Sequence, residues 1–228
     1  MDAISDIVHK YDDILNEVSD LSEGKATLVL ASKMVSQDVL MRLAEARPGV
    51  IYGENKVQEL LSKYFVANGV EWQFIGRLQT NKVKYIVDKV SMIQSVDSLR
   101  LAEEIEKRCA KIEKEIDILL EVNIGEEESK GGISSSGLDE MLCRIKEMPH
   151  LRLRGIMSVL PNAEEDVLRP LYARLKDIFD KVQAIRTENF DVKYLSAGMS
   201  GDYKLALQCG SNMVRIGSAV FGARRYDK

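Results

Sequence analysis

Short apolar runs alternate with segments of helical period or polar loops along this chain, and that alternation restricts its fold more than any other feature. The runs are Thr27–Ala31, Val50–Tyr52, Trp72–Ile75, Val90–Ile93, Ile116–Val122, Leu153–Met157, Lys193–Leu195 and Met213–Ile216. Helix-period segments such as Leu99–Ile112 and Val167–Ile185 separate them. An amphipathic segment precedes the first run, with Ile4, Ile7, Tyr11, Ile14, Val18 and Leu21 on one face. Asn162 with Glu165, and Ser136 with Asp139, stand three apart and predict capping boxes at two helix starts. Short strands alternating with helices predict a parallel sheet covered by helices. Eight such units fit a closed (β/α)8 barrel, and the 228 residues are close to the roughly 250 typical of one. An open doubly wound sheet would usually carry a Gly-x-Gly-x-x-Gly turn after its first strand, and none follows Ala31. Without a linker, repeat or low-complexity tract, the expectation is one domain over residues 1–228.

Charge and composition narrow the function classes. The chain has 32 basic and 36 acidic residues, a net charge of −4, which argues against nucleic acid as the main partner because neutralising phosphates needs a basic face. Arg77, Lys82, Lys84 and Lys89 form the nearest thing to a basic stretch, but Asp88 interrupts it, and a solvated face is the simpler reading. Cys109, Cys143 and Cys209 are odd in number and far apart, so neither a disulfide framework nor a zinc site is expected. His9 and His150 are isolated and predict no metal site. No basic-then-apolar leader opens the chain and no apolar stretch is long enough to cross a bilayer, so the expected location is the cytoplasm, with no membrane partner.

Polar chemistry gathers where the chain leaves its strands. The segments entering strands are plain turns, such as Arg47-Pro48-Gly49 and Asn68-Gly69. The exits carry Ser32-Lys33, Gly53-Glu54-Asn55, Gly76 to Lys82, Asn123, Ser196 to Asp202 and Gly217-Ser218. In parallel α/β folds these exits converge on one rim. Gly198-Met199-Ser200-Gly201-Asp202 and Gly217-Ser218-Ala219 are small, hydroxyl-bearing loops at the seventh and eighth exits, where barrels often bind phosphate. Each alone reads as an ordinary Gly/Ser turn. Lys33, after Leu28-Val29-Leu30-Ala31, reads in isolation as a surface lysine. Partly withdrawn from water beside a phosphate site, its amine would suit a Schiff base with an aldehyde, and the pairing suggests pyridoxal 5'-phosphate (PLP). Arg215 interrupts the apolar run Met213–Ile216 and needs a partner, either a structural ion pair or the pyridine nitrogen of such a cofactor.

Six motifs in order carry a resemblance over most of the chain: Ala31-Ser32-Lys33, Gly53 to Glu59, Trp72 to Lys82, Glu127 to Gly131, Gly198 to Asp202 and Val214 to Gly222. Together they resemble the pyridoxal-phosphate homeostasis proteins. The resemblance implies a barrel like the N-terminal domain of alanine racemase, with PLP held as a Schiff base on Lys33. It implies phosphate contacts from Ser200, Gly201, Gly217 and Ser218, with Met199 in the same cofactor-binding loop, a pyridine-nitrogen contact from Arg215, and Asn55 beside the ring. Lys130 matches a family lysine proposed to help exchange the cofactor. The implied role is keeping free PLP low and available, with apo-enzymes that use PLP as acceptors and no firm catalytic activity. Many relatives have histidine at the position of Arg77 and tyrosine at that of Lys56, which leaves details of the rim open.

The competing expectation is a PLP-dependent amino-acid racemase. Racemases of the resembling fold use a second, β-rich domain that supplies a catalytic tyrosine. This sequence ends shortly after its eighth strand and offers only Lys33 and Lys130 as acid–base candidates, so a binding protein is the preferred expectation.

Overall fold

The computed structural model describes residues 3–125 and 131–222. Eight parallel strands close into a barrel in sequence order: β1 Thr27–Ala31, β2 Ile51–Glu54, β3 Glu71–Phe74, β4 Met92–Val96, β5 Ile116–Glu121, β6 Leu151–Met157, β7 Phe190–Ser196 and β8 Met213–Ile216. The helices are α1 Ala3–Ser22, α2 Gln37–Ala46, α3 Val57–Lys63, α4 Leu99–Lys111, α5 Leu138–Ile145, α6 Glu165–Ala184, α7 Tyr203–Gln208 and α8 Ser218–Phe221, with 3-10 turns at Thr80–Tyr85 and Ser135–Gly137. The ring closes where β1 pairs with β8, Thr27 opposite Met213 through Leu30 opposite Ile216.

Strand parity sorts the side chains into two layers. Leu28 and Leu30 of β1, Tyr52 of β2 and Phe74 of β3 join the core between sheet and helices. Val29, Ile75, Met92, Leu119, Met157 and Met213 pack together in a second cluster inside the ring. The helices meet the sheet with apolar stripes at helical spacing. On α6 these are Leu168, Tyr172, Leu175, Phe179 and Val182, and on α4 Leu101, Ala102, Ile105 and Cys109. Each fully buried leucine among them stabilises the fold by about 1.5–3 kcal/mol.

Closure needs one very close backbone approach. Gly155 on β6 lies opposite Tyr194 of β7, where the register shifts, with φ at +153°. A Cβ there would stand 1.8 Å from the Tyr194 carbonyl oxygen. Gly155→Ala is therefore expected to lower the free energy of unfolding by about 3 kcal/mol, through backbone strain and overpacking together. Urea titration checks this; a midpoint equal to that of the parent would show that the β6–β7 seam yields freely.

The strand and helix positions agree with the sequence expectation, with ends displaced by a few residues. Both predicted capping boxes are wrong. Ser134, not Ser136, accepts from the Gly137 amide, and Gly137 itself caps α5. Glu164 caps α6 without a side-chain bond, and Asn162 lies outside the helix. Three-residue spacing recurs by chance in polar loops, and only the backbone path decides which hydroxyl meets the free amides. No helix of the described residues is long and apolar enough to cross a membrane.

Candidate functional site

At the carboxyl ends of the strands the barrel opens into a cavity of about 530 Å³, within the few-hundred-Å³ range of small-ligand sites. The eight residues expected to bind the cofactor line it. Lys33 and Asn55 come from the exits of β1 and β2, Met199, Ser200 and Gly201 from that of β7, and Arg215, Gly217 and Ser218 from β8 and its exit. Ala31, Ile75 and Val159 complete the wall.

Lys33 sits in the turn two residues beyond β1 rather than at its end. Counting by twos from the inward residues Val29 and Ala31 puts it on the cavity side. It is half-buried, and its amine has no hydrogen-bond or ion-pair partner among the described residues. Asn55 is fixed by Gly76, whose missing Cβ would lie 2.3 Å from the Asn55 carbonyl oxygen. Only glycine allows the exits of β2 and β3 to pack so closely.

On the far wall, the β7 and β8 exits are bound to each other. The Gly217 and Ala219 amides donate to the Ser200 hydroxyl at 3.3 and 3.5 Å. Nothing lies within 4 Å of where a Gly201 Cβ would stand, so this backbone is open to an approaching group. Asp202 holds the β7 exit in shape by accepting from the Met199 amide at 2.7 Å and from the Tyr172 hydroxyl of α6 at 2.6 Å. Burial, then the bond to Asp202, pushes the Tyr172 phenol well above its ordinary range, so it stays a donor.

Arg215 forms no ion pair among the described residues, so the plainer of its two sequence readings finds no support there. Its guanidinium donates to the Ser196 carbonyl at 2.9 Å, the Ser196 hydroxyl at 2.7 Å and the Ser158 carbonyl at 2.9 Å. Burial brings it down to about 10, against the opposing pull of Tyr172, Glu121 and Asp202. A buried cation held by neutral oxygens beside a cavity favours a ligand that accepts hydrogen bonds. Burial also pushes up the Glu121 carboxyl, with Asp97 adding to the shift and Arg215 and Arg77 opposing it.

A polar file behind Arg215 went unnoticed in the sequence. The Ser196 hydroxyl donates to Gln94 at 2.7 Å, and the Gln94 amide donates to Gln73 at 2.5 Å. Both glutamines are buried inside the ring. The available signal was parity, since each interrupts an apolar strand at a position that faces inward.

Arg77 and Lys56 lie outside the cavity. Arg77 is exposed and lines a neighbouring hollow with Asp97 and Arg100, and the Lys56 amine is 3.9 Å from Glu59. Lys82 and Lys84 stand over the Tyr85 ring, and Lys89 pairs with Asp88. His150 meets Glu106 at 2.7 Å, and no metal-ligating group of three exists among the described residues. Lys130 lies outside the described residues.

Comparison with known proteins agrees with this fold. Residues 22–225 match the family described as Alanine racemase, N-terminal domain. The chain is 43% identical over 208 residues to the pyridoxal phosphate homeostasis protein of Aquifex aeolicus, covering 90% of each. It is 32% identical to the one of Escherichia coli strain K12, covering 99% of this chain and 100% of that one. PipY of Synechococcus elongatus, solved without and with PLP bound, has the same fold, with TM-scores of 0.86 and 0.84 at 24% identity over 95% of this chain and 100% of that one. The extent of these matches places the barrel within a single lineage: the chain belongs to the pyridoxal phosphate homeostasis protein family, built on the alanine racemase N-terminal domain.

Proposed function

We propose that this chain binds pyridoxal 5'-phosphate in the barrel-mouth cavity, as a Schiff base on Lys33, and acts in the cytoplasm as a carrier that keeps the cofactor available to apo-enzymes. One observation carries the reading: an amine without a partner among the described residues and two bonded hydroxyl-bearing loops line one cavity of about 530 Å³. The names of the relatives and the PLP-bound PipY support it.

The residues present fit that group. Lys33 would supply the amine that holds the aldehyde of the group covalently, with loss of water. Ser200 and Ser218 would supply hydroxyls for the phosphate, with the Gly217 and Ala219 amides holding the Ser200 hydroxyl in place, and the open backbone at Gly201 admits its bulk. Arg215 offers its donors to the pyridine nitrogen. The cofactor when bound supplies an electron-withdrawing ring, and a guanidinium that retains its proton leaves the nitrogen largely unprotonated and that ring a weaker electron sink. The described side chains lining the cavity include two that carry charge, Lys33 and Arg215, which supports holding over turnover.

The test is mass spectrometry after the protein has been mixed with PLP and reduced with borohydride. One phosphopyridoxyl group is expected, on the peptide containing Lys33. A label on another lysine, or none, would overturn the assignment.

A further inference from the structure

Beneath the Lys33 turn lies a buried charged cluster that the reading above does not use. Glu54, the last residue of β2, faces out of the ring by strand parity and is fully buried. Lys63, the last residue of α3, has a side chain only 6% exposed and meets Glu54 at 2.5 Å. The Lys63 amine also donates to the Ser32 carbonyl at 2.6 Å and reaches the Val35 carbonyl at 3.5 Å. Glu59, one turn back on α3, lies 3.4 Å from that amine and accepts from the Met34 amide at 2.8 Å.

These bonds fall on particular peptide planes. The Ser32 carbonyl belongs to the plane before the Lys33 Cα, and the Met34 amide to the plane after it. Both planes about Lys33 are therefore clamped, one by Lys63 and the other by Glu59. The same holds for Asn55, since Glu54 accepts from the Asn55 amide at 2.6 Å and from the Lys56 amide at 3.2 Å. The Ser32 hydroxyl, donating to Glu54 at 2.9 Å, ties the two exits together. Met34 sits at φ +62°, a left-handed conformation that a residue with a Cβ keeps only when its surroundings impose it. Burial pushes the Glu59 carboxyl up, but the Met34 amide and Lys63 outweigh it and hold it below its ordinary range. A buried ion pair adds little net stability over apolar packing, so its value here lies in the geometry it imposes.

We infer that Lys63, Glu54 and Glu59 are positioning residues that set the direction of the Lys33 amine into the cavity and its register with Asn55. This rests on Lys33 being the attachment amine. Lys63 is itself excluded from the chemistry, because its amine is committed to the Ser32 carbonyl and to Glu54.

The test separates aiming of the amine from general integrity of the pocket. Full-length apo-protein is mixed with PLP, and the rate of imine formation is followed by absorbance and trapped with borohydride. Affinity for pyridoxine 5'-phosphate, which has an alcohol in place of the aldehyde, is measured alongside. Lys63→Met is expected to slow imine formation about 100-fold while pyridoxine 5'-phosphate binds within about twofold of the parent, because a small misplacement of a reacting group acts on the reaction and not on ligand binding. Glu59→Ala is expected to slow it about tenfold, the size of one charged hydrogen bond, whereas Glu59→Gln keeps an acceptor for the Met34 amide and retains most of the rate. Imine formation at the parent rate in Lys63→Met, or an equal loss of affinity for the alcohol, would overturn the inference. Should Lys63→Met not fold, the Glu59 pair decides: equal rates for Ala and Gln overturn it. If the parent protein gives no label on Lys33, the attachment reading itself falls, and that result is distinct because it needs no variant.

Discussion

Lys33→Ala is expected to abolish the borohydride-fixed label completely while leaving the fold intact. The amine has no partner among the described residues, so its removal strands no buried donor or acceptor. Stability should therefore stay within about 0.5 kcal/mol of the parent, as for surface changes. Among the described residues lining the cavity, no other amine is placed to substitute. Lys63 is the nearest buried one in sequence terms, and it is held at 2.5 Å by Glu54 and at 2.6 Å by the Ser32 carbonyl. The β7 and β8 exits proposed to hold the phosphate are untouched, so weak, reversible PLP binding should survive the loss of the covalent bond. Intact-mass measurement before and after reduction reads the first effect, and thermal unfolding reads the second. A Lys33→Ala protein that keeps the full label would show that the amine facing the cavity is not the one that reacts.

The second large effect is expected at Arg215. Arg215→Glu places a carboxylate where the Ser158 and Ser196 carbonyls and the Ser196 hydroxyl now accept or share three hydrogen bonds. The site is 4% exposed, and Glu121 and Asp202 already bear on it. An uncompensated buried charge of this kind costs about 3–5 kcal/mol, and stability should fall by that amount. Arg215→Met behaves differently. It gives up the bonds but also removes a cation that has no ionic partner among the described residues, so the two contributions offset and stability changes much less. Both variants should shift the visible band of the bound cofactor, because both remove the donor proposed for the ring nitrogen. Denaturant titration separates the two substitutions, and an absorbance spectrum of the PLP-treated Arg215→Met protein tests the ring contact. An unchanged band would assign Arg215 to holding β6, β7 and β8 together and nothing more.

Some of the site was legible because it depends on order along the chain. A strand exit is a local feature, and in a closed parallel barrel every exit lies on the same rim. Lys33, Asn55, Ser200 and Ser218 could therefore be grouped with no knowledge of distances. Arg215 was legible for a related reason, as a charge inside an apolar strand that must be accounted for. Its partners were not, because Ser158 and Ser196 are 57 and 19 residues away and meet it only when β6, β7 and β8 are neighbours. The capping boxes failed because spacing alone does not fix a cap, and the backbone path put Gly137 at the start of α5, Ser134 at the start of the 3-10 turn before it, and Glu164 at the start of α6.

Lys63 marks the boundary most clearly. In the sequence it is an ordinary basic residue at a helix end, and Glu54 is one polar group within a motif. Hydrophobic periodicity determined eight strands and helices between most of them, and the polar strand exits determined the side on which chemistry would gather, since period and order are properties of the chain itself. Only the tertiary structure decided that α3 lays a lysine against the outer face of β2, under the turn that carries Lys33. Its physical reason is burial: once both charges leave water they must satisfy one another and the nearest backbone groups, and which groups are nearest is set by packing between segments and not by the residues taken singly.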